Sequence, residues 1–368
     1  MSTRRLGATD VEVTVLGFGG ATIGGISRVL TEAQAQATLA AAFDTGIRLF
    51  DTAPSYGNGQ SEHRIGAQFR ERLTSGCDRA DLVVATKVGK LLRRPRAPDA
   101  ADAADATEWP GGLPFRIRWD FTYGGVMRAY EDSLQRLGVT RVDLLTIHDL
   151  DYSEHESPEV ADRLLDQLVN GGGHRALAEL QAAGEIRAVG AGVNDVGSIT
   201  RFAERFEVDY YLLAMPYSLV DQRPLDDELA WCLDRGIGII KGAPYASGIL
   251  AADTGRAGDR AAVAAATYDY RAPSAEVRST VSRIAAVCAR HGVPMRAAAL
   301  QFLLAHPAVA AVIPGAATPA EVADNARMLS VSIPADLWSE LQHERLLQDG
   351  APIPADRDRP RRPPGASV

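Results

Sequence analysis

Lysine is nearly missing from this 368-residue chain: Lys87, Lys90 and Lys241 are the only three, and arginine supplies the other basic side chains. A composition that favours arginine this strongly would also have replaced a lysine kept only for surface charge. Lys87 then reads as chosen for a compact ammonium whose pKa responds to its surroundings. Lys90 reads as ordinary surface, and Lys241, at a strand end, as either a ligand contact or half of a structural ion pair. Cysteine is scarce too. Cys77, Cys232 and Cys288 are odd in number and lack metal-ligand spacing, so the chain offers no metal site and no disulfide frame, which fits reduced packing thiols in a cytoplasmic protein. No apolar stretch approaches the roughly 18 residues of a spanning helix, and Met1-Ser2-Thr3-Arg4-Arg5 leads into no apolar segment, so a membrane partner is not expected. A net charge of −8 argues against nucleic acid.

What the chain does have is alternation. β-like runs near 14–18, 47–51, 82–87, 142–147, 186–191, 208–213, 237–241 and 309–313 alternate with helical segments at 31–45, 60–72, 125–138, 172–183, 195–206, 225–235, 275–291 and 319–329. Thr31 is a natural N-cap, and Gly46, Gly138, Gly184 and Gly236 are natural stops. Several of the runs are apolar throughout, as strands buried on both faces are. The pattern predicts an α/β fold, a (β/α)8 TIM barrel of parallel strands, with an N-terminal hairpin (Arg4 to Leu6, Gly7, Val11 to Val13), long βα loops and a C-terminal helix near 334–347. A doubly wound open sheet is the second choice. It is disfavoured because the first strand leads to Gly17-Phe18-Gly19-Gly20, not to Gly-x-Gly-x-x-Gly opening a helix. Residues 1–348 form one barrel domain in this reading, and the Pro/Arg-rich tail 349–368 is expected to be disordered. Oligomeric state is not legible.

Four side chains fall at or just beyond strand ends: Asp51, Tyr56, Lys87 and His148. Each has a plain structural reading, as a cap, a core ring or a hydrogen-bonded scaffold. At the C-terminal ends of parallel strands, however, they converge on one mouth. A lysine beside a tyrosine lowers the phenol's pKa, a carboxylate keeps that ammonium ionised, and an imidazole can orient a substrate oxygen.

The run Gly46-Ile47-Arg48-Leu49-Phe50-Asp51-Thr52-Ala53-Pro54-Ser55-Tyr56-Gly57, followed by Ser61-Glu62, resembles the aldo-keto reductase signature, and Lys87 and His148 fall where that family completes its tetrad. The resemblance spans about residues 4–347. It implies Tyr56 as general acid/base, Lys87 and Asp51 as the groups that tune it, His148 as the residue positioning the reacting oxygen, and a nicotinamide dinucleotide with no metal. Leu113-Pro114-Phe115, Asp132 to Gly138, Ile147-His148-Asp149-Leu150, Ala188 to Asn194 and Ala299 to Phe302 with His306-Pro307 resemble the D-threo-aldose 1-dehydrogenase group, with its L-fucose, L-galactose and D-arabinose dehydrogenases and pyridoxal 4-dehydrogenase. Members of that group oxidise a cyclic hemiacetal to a lactone.

Around the dinucleotide the resemblance implies contacts from Gly19, Gly20, Tyr217, Pro244, Tyr245, Ser247, Gly248 and Leu250, the last five in a loop whose backbone N–H groups suit a pyrophosphate. The usual Ser-Asn pair for the carboxamide is Gly192-Val193, and the usual stacking Tyr is Gly242, leaving Asn194 and Tyr245 as candidates. Ile313 to Asn325 resembles the segment that grips an adenosine 2′-phosphate, yet Gly315 and Glu321 stand where the family's Lys and Arg do; Thr318, Asp324 and Asn325 complete this end. A carboxylate repels a phosphate but accepts from a ribose hydroxyl, so NAD is expected over NADP. Glu321 can also be read as a solvated first-turn acid, and Arg256 or Arg260 as a source of rescue for phosphate binding. Three inserts interrupt the repeat: 91–124, with a lid-like Ala/Asp run; the acidic 150–171; and 244–274. Trp109, Phe115, Trp119, Phe121 and Tyr123 offer either a sugar platform, with Trp119 and Phe121 as the substrate contacts, or a small local core. The implied activity is NAD-dependent oxidation of a free aldose at C1. The alternatives are pyridoxal oxidation, NADPH-dependent carbonyl reduction, and a non-enzymatic cofactor-binding sensor or subunit.

Overall fold

The computed structural model describes residues 1–26, 28–95, 109–214, 216–251, 267–269 and 271–354. Twelve strands are found among them: β1 Thr3–Arg5, β2 Glu12–Thr14, β3 Phe18–Gly19, β4 Leu49–Asp51, β5 Val83–Val88, β6 Lys90–Arg93, β7 Arg116–Trp119, β8 Leu144–Ile147, β9 Ala188–Val193, β10 Tyr210–Leu213, β11 Gly238–Gly242 and β12 Val309–Ile313. Eight of them make one parallel sheet in the order β12-β11-β10-β9-β8-β5-β4-β3. Its two ends meet: Gly17 N–H donates to Val312 O (2.9 Å), Val312 N–H to Val15 O (2.9 Å), and Gly19 bridges Gly315. The sheet closes as the (β/α)8 barrel that the alternation predicts.

Period-2 alternation sorts each strand's side chains between two cores. Leu49, Val83, Ala85, Leu144, Ala188, Leu212 and Ile240 fill the barrel interior, where Leu6, Val11 and Val13 of the β1–β2 hairpin plug the N-terminal end. Val84, Leu145, Val189, Leu213 and Ile239 face the helical layer. A Cβ at Gly190 would lie 2.3 Å from the ring of Tyr210, so glycine there makes room for the largest interior side chain. The Tyr210 hydroxyl sits 2.6 Å from Thr146 Oγ1, one layer below the mouth.

Helices cover the outside. Thr31 caps Glu32–Asp44 with a full capping box, Thr122 caps Tyr123–Leu137, which stops at left-handed Gly138, and Thr318 caps Pro319–Leu329. Three further elements go beyond the sequence pattern. The 91–124 insert contains the antiparallel ribbon β6–β7. The acidic 150–171 insert carries the helix Pro158–Val169, whose buried Ala161, Leu164, Leu165 and Leu168 repeat at helical spacing. Met295–Ala305, buried on nearly all sides and so lacking a periodic stripe, is a helix between Ala275–Arg290 and β12. The lid-like run from 96 to 108 and the tail beyond 354 lie outside the described residues. Among the described residues no helix is long and apolar enough to cross a membrane.

Candidate active site

Strand parity places the ionisable residues. Asp51 ends β4, Lys87 shares its face of β5 with the interior residues Val83 and Ala85, and His148 immediately follows β8. All three are buried. The Lys87 ammonium donates to Asp51 Oδ1 (2.9 Å), Asp51 Oδ2 (2.8 Å) and Thr52 O (2.8 Å), so its three N–H groups all find acceptors. Burial pushes the Asp51 carboxyl above its ordinary value, against the opposing pull of Lys87. Tyr56 lies in the turn between β4 and the helix Gln60–Thr74. That turn is tied down from below: Thr52 Oγ1 donates to Ser61 Oγ (2.8 Å), which donates to Gly20 O (2.9 Å). Fully buried Glu62 accepts from Thr86 Oγ1 (2.7 Å) and Arg136 Nε (2.5 Å). Ser61-Glu62 is therefore the anchor of the tyrosine loop.

The four side chains meet. Lys87 Nζ is 4.6 Å from the centre of the Tyr56 ring, and the His148 ring approaches it edge-on at 5.8 Å. Tyr56, Lys87 and His148 open on a cavity of about 550 Å³ whose walls include Trp109, Asp149 and Asn194. Three larger cavities, about 920, 960 and 630 Å³, contain none of the four. Burial holds His148 well below the ordinary imidazole range, Asp149 opposing and Lys90 and Lys87 reinforcing that shift, so the ring is neutral near pH 7.

Trp109 is the aromatic that reaches the site, 5.6 Å from Tyr56 at 31°. Trp119 instead lies under the Lys90 ammonium (4.6 Å) and against Phe121 and His155. Phe121 is wholly buried in the outer core beneath Gly89, and Trp119 packs against that core. Tyr217 is likewise buried, its ring 5.4 Å from Phe302 and 5.7 Å from His306. Lys90, expected as ordinary surface, is paired with Asp149 (2.5 Å). Lys241 forms no ion pair among the described residues: it donates to the carbonyls of Ala214 and Gly242.

At the dinucleotide end, Gly19 and Gly20 sit at the barrel seam, Gly20 N–H donating to Asp51 O (2.8 Å). Asn194 Nδ2 donates to Asp149 Oδ1 (3.2 Å). In the loop after β11, Pro244 and Leu250 are buried, Ala246, Ser247 and Gly248 adopt positive φ, and the N–H groups of Gly248 and Leu250 close turns onto Tyr245 O. Those two donors are thus already engaged. Tyr245 Oη donates to Asn325 Oδ1 (2.8 Å), which joins the loop to the helix Pro319–Leu329 that Thr318 caps. The two segments that the resemblance assigns to the dinucleotide meet there, and their polar groups fit such a group. Asp324 is held by Arg296 and Arg327, each at 2.5 Å. Glu321 accepts from Ala317 N–H (2.8 Å) and pairs with Arg28 at 3.2 Å, both side chains half-exposed. Sequence reasoning missed Arg28, which lies 293 residues from its partner with no local signal. Arg256 and Arg260 lie outside the described residues. Among the described residues no group of three or more His, Cys, Asp or Glu is arranged to hold a metal ion.

The model of the aldo/keto reductase family matches residues 15–344. The chain belongs to that family. As an aldo/keto reductase it is an oxidoreductase acting on CH–OH or carbonyl groups and working with a nicotinamide cofactor. It is 39% identical to pyridoxal 4-dehydrogenase from Microbacterium luteolum, over 94% of this chain and 97% of that one. It is 35% identical to D-threo-aldose 1-dehydrogenase from a Pseudomonas species, over 92% and 96%. Two solved aldo-keto reductases share the fold: AKR11C1 from Bacillus halodurans (TM-score 0.69, 23% identity, 95% of this chain and 98% of that one) and glycerol dehydrogenase AKR11B4 from Gluconobacter oxydans (0.67, 21%, 98% and 99%).

Proposed function

We propose that this aldo/keto reductase oxidises a cyclic hemiacetal to a lactone with NAD, and that its substrate is a free aldose of the L-fucose, L-galactose or D-arabinose type oxidised at C1. The observation that carries the reading is the joining of Lys87 to both oxygens of Asp51 beneath the Tyr56 ring, with His148 across a cavity large enough for a hexose. A bound nicotinamide supplies the hydride acceptor. Tyr56 takes the proton of the anomeric hydroxyl as the hydrogen on the same carbon leaves as hydride, so the C–OH becomes the lactone C=O. Lys87 stabilises the phenolate needed for that transfer, Asp51 keeps Lys87 charged, and neutral His148 holds the reacting oxygen. The cavity's polar wall, with Asp149, Glu154, Asn194, Asp269 and Arg271, suits a ligand bearing several hydroxyls.

For the cofactor, Glu321 favours a ribose hydroxyl over a phosphate, and Gly315 supplies no cation. Arg28 offsets part of the repulsion, so we expect NAD preferred by about fivefold, one exposed charge interaction of roughly 1 kcal/mol. Pyridoxal is the second reading, favoured by the identity of 39% to a pyridoxal 4-dehydrogenase and by the two aromatic rings, Trp109 and Tyr56, at the cavity. A panel of aldoses and pyridoxal with NAD, followed by absorbance of the reduced cofactor, tests both. Turnover of an aldose supports the first reading and turnover of pyridoxal alone the second. Reduction of aliphatic ketones with NADPH, and no oxidation, would sink both.

A further inference from the structure

The role of His148 requires an N–H aimed at the reacting oxygen, and the surroundings of the ring decide which nitrogen carries it. Nε2 lies 3.2 Å from Asp149 Oδ2. Nδ1 is buried and without a hydrogen-bond partner among the described residues. A lone pair on Nε2 would face the carboxylate's own lone pairs, and a proton on Nδ1 would be a buried donor with no acceptor. Both observations favour hydrogen on Nε2.

Asp149 is itself firmly held. Its φ of +51° is a left-handed conformation that Asp tolerates better than most residues. Its Oδ2 is 2.5 Å from Lys90 Nζ, its Oδ1 accepts from Asn194 Nδ2, and its carbonyl oxygen is 2.9 Å from His155 Nε2. Lys90 in turn rests 4.6 Å over the Trp119 ring, so the β6–β7 ribbon fixes the cation that fixes the carboxylate.

We propose that Asp149, clamped by Lys90 and Asn194, is a positioning residue that fixes His148 as the Nε2–H tautomer, whose single proton is shared between Asp149 Oδ2 and the substrate oxygen. This rests on the reading of His148 given above. Five groups bear on the imidazole: Asp149 after β8, Lys90 on β6, Lys87 on β5, the Tyr56 ring, and His155 through the Asp149 backbone. The carboxylate stabilises an imidazolium and the two ammonium groups oppose it. Removing the Asp149 charge should therefore move the acid limb of the kcat–pH profile down, and removing the Lys90 charge should move it up. A pair with no electrostatic hold on the ring would shift both variants alike or neither.

The test is 15N NMR of the full chain labelled in histidine, with His148 assigned through His148→Gln, on wild type, Asp149→Asn, Asp149→Ala and Lys90→Met, alongside kcat and KM against pH. The wild type is expected as the Nε2–H tautomer and Asp149→Ala as a tautomer mixture. The kcat of Asp149→Ala should fall by about tenfold to a hundredfold with KM little changed, and Asp149→Asn, which keeps an acceptor oxygen, should recover part of it. An Nδ1–H tautomer in the wild type, an unchanged tautomer in Asp149→Ala, or acid limbs moving in the same direction would overturn the proposal. The wild-type spectrum decides even if the variants fail to fold. Full activity of His148→Gln would instead overturn the role given to His148, leaving the tautomer result to judge the clamp.

Discussion

Lys87 and Lys241 are both wholly buried lysines near the C-terminal ends of barrel strands, and their surroundings differ in almost every other respect. Lys87 shares its face of β5 with Ala85 in the barrel interior and meets a carboxylate with both oxygens. Lys241 is one residue out of phase, next to interior Ile240 and on the same face as Ile239, so it points into the helical layer and meets only carbonyl oxygens. Without a carboxylate in contact, burial pushes the Lys241 amine down to about 7, which distant Asp221 only partly resists. Burial therefore does not tell the two lysines apart. The face of the strand and the partner at its tip do.

The largest effects should come from the interior lysine's circle. Tyr56→Phe should cost at least about 10² in kcat while leaving cofactor binding, read by fluorescence titration, nearly intact. Asp51→Asn removes the charge that holds Lys87 and should lose about as much. Retention of more than about a tenth of the wild-type rate by Tyr56→Phe would break the assignment of the acid/base.

A smaller effect is expected at the adenosine end, where charges are half-exposed. Glu321→Arg should raise kcat/KM with NADP by about tenfold and change that with NAD little, and Arg28→Ala should widen the preference for NAD. Both effects should shrink with added salt. Adding Gly315→Lys is a less clean probe, because a Cβ at 315 would lie 2.1 Å from Thr22 Oγ1. Equal use of both cofactors by the wild type would point to a phosphate partner other than Arg28.

The outer lysine should show itself in stability. Its folded pKa of about 7 lies below the unfolded value near 10.4, so the unfolded chain binds more protons between those limits and Lys241 makes stability rise with pH there. The cost of burying its charge is fully present below pH 7. Lys241→Met should flatten this rise by up to a few kcal/mol, measured as urea unfolding at pH 6.5, 8 and 9.5. A parallel pH dependence in variant and wild type would show that Lys241 stays charged on its carbonyl partners.

The same contrast marks how far the sequence could be read. Barrel order, the helix at 319–329 and the convergence of Asp51, Tyr56, Lys87 and His148 were legible because each rests on a local period, a cap or a motif on one strand end. Pro158–Val169 was missed, although Ser157-Pro158 opens it and its leucines repeat at helical spacing, because its many acidic residues drew the reading to a surface insert. The partners of Lys90 and Glu321 were not legible, because Asp149 and Arg28 reach them only through the folded barrel. Lys241 could have been sorted by counting from Ile240. Trp109 among five nearby aromatics could not, because its neighbours 96–108 carry no pattern that fixes its direction.

The measurement that bears most directly on the account sets the two buried lysines side by side: kcat for aldose oxidation with NAD in Lys87→Met and Lys241→Met, each at a temperature well below its measured Tm. The account predicts a loss of about 10² or more for Lys87→Met and a rate within about threefold of wild type for Lys241→Met. Equal losses in the two variants, or a near-normal rate in Lys87→Met, would contradict it.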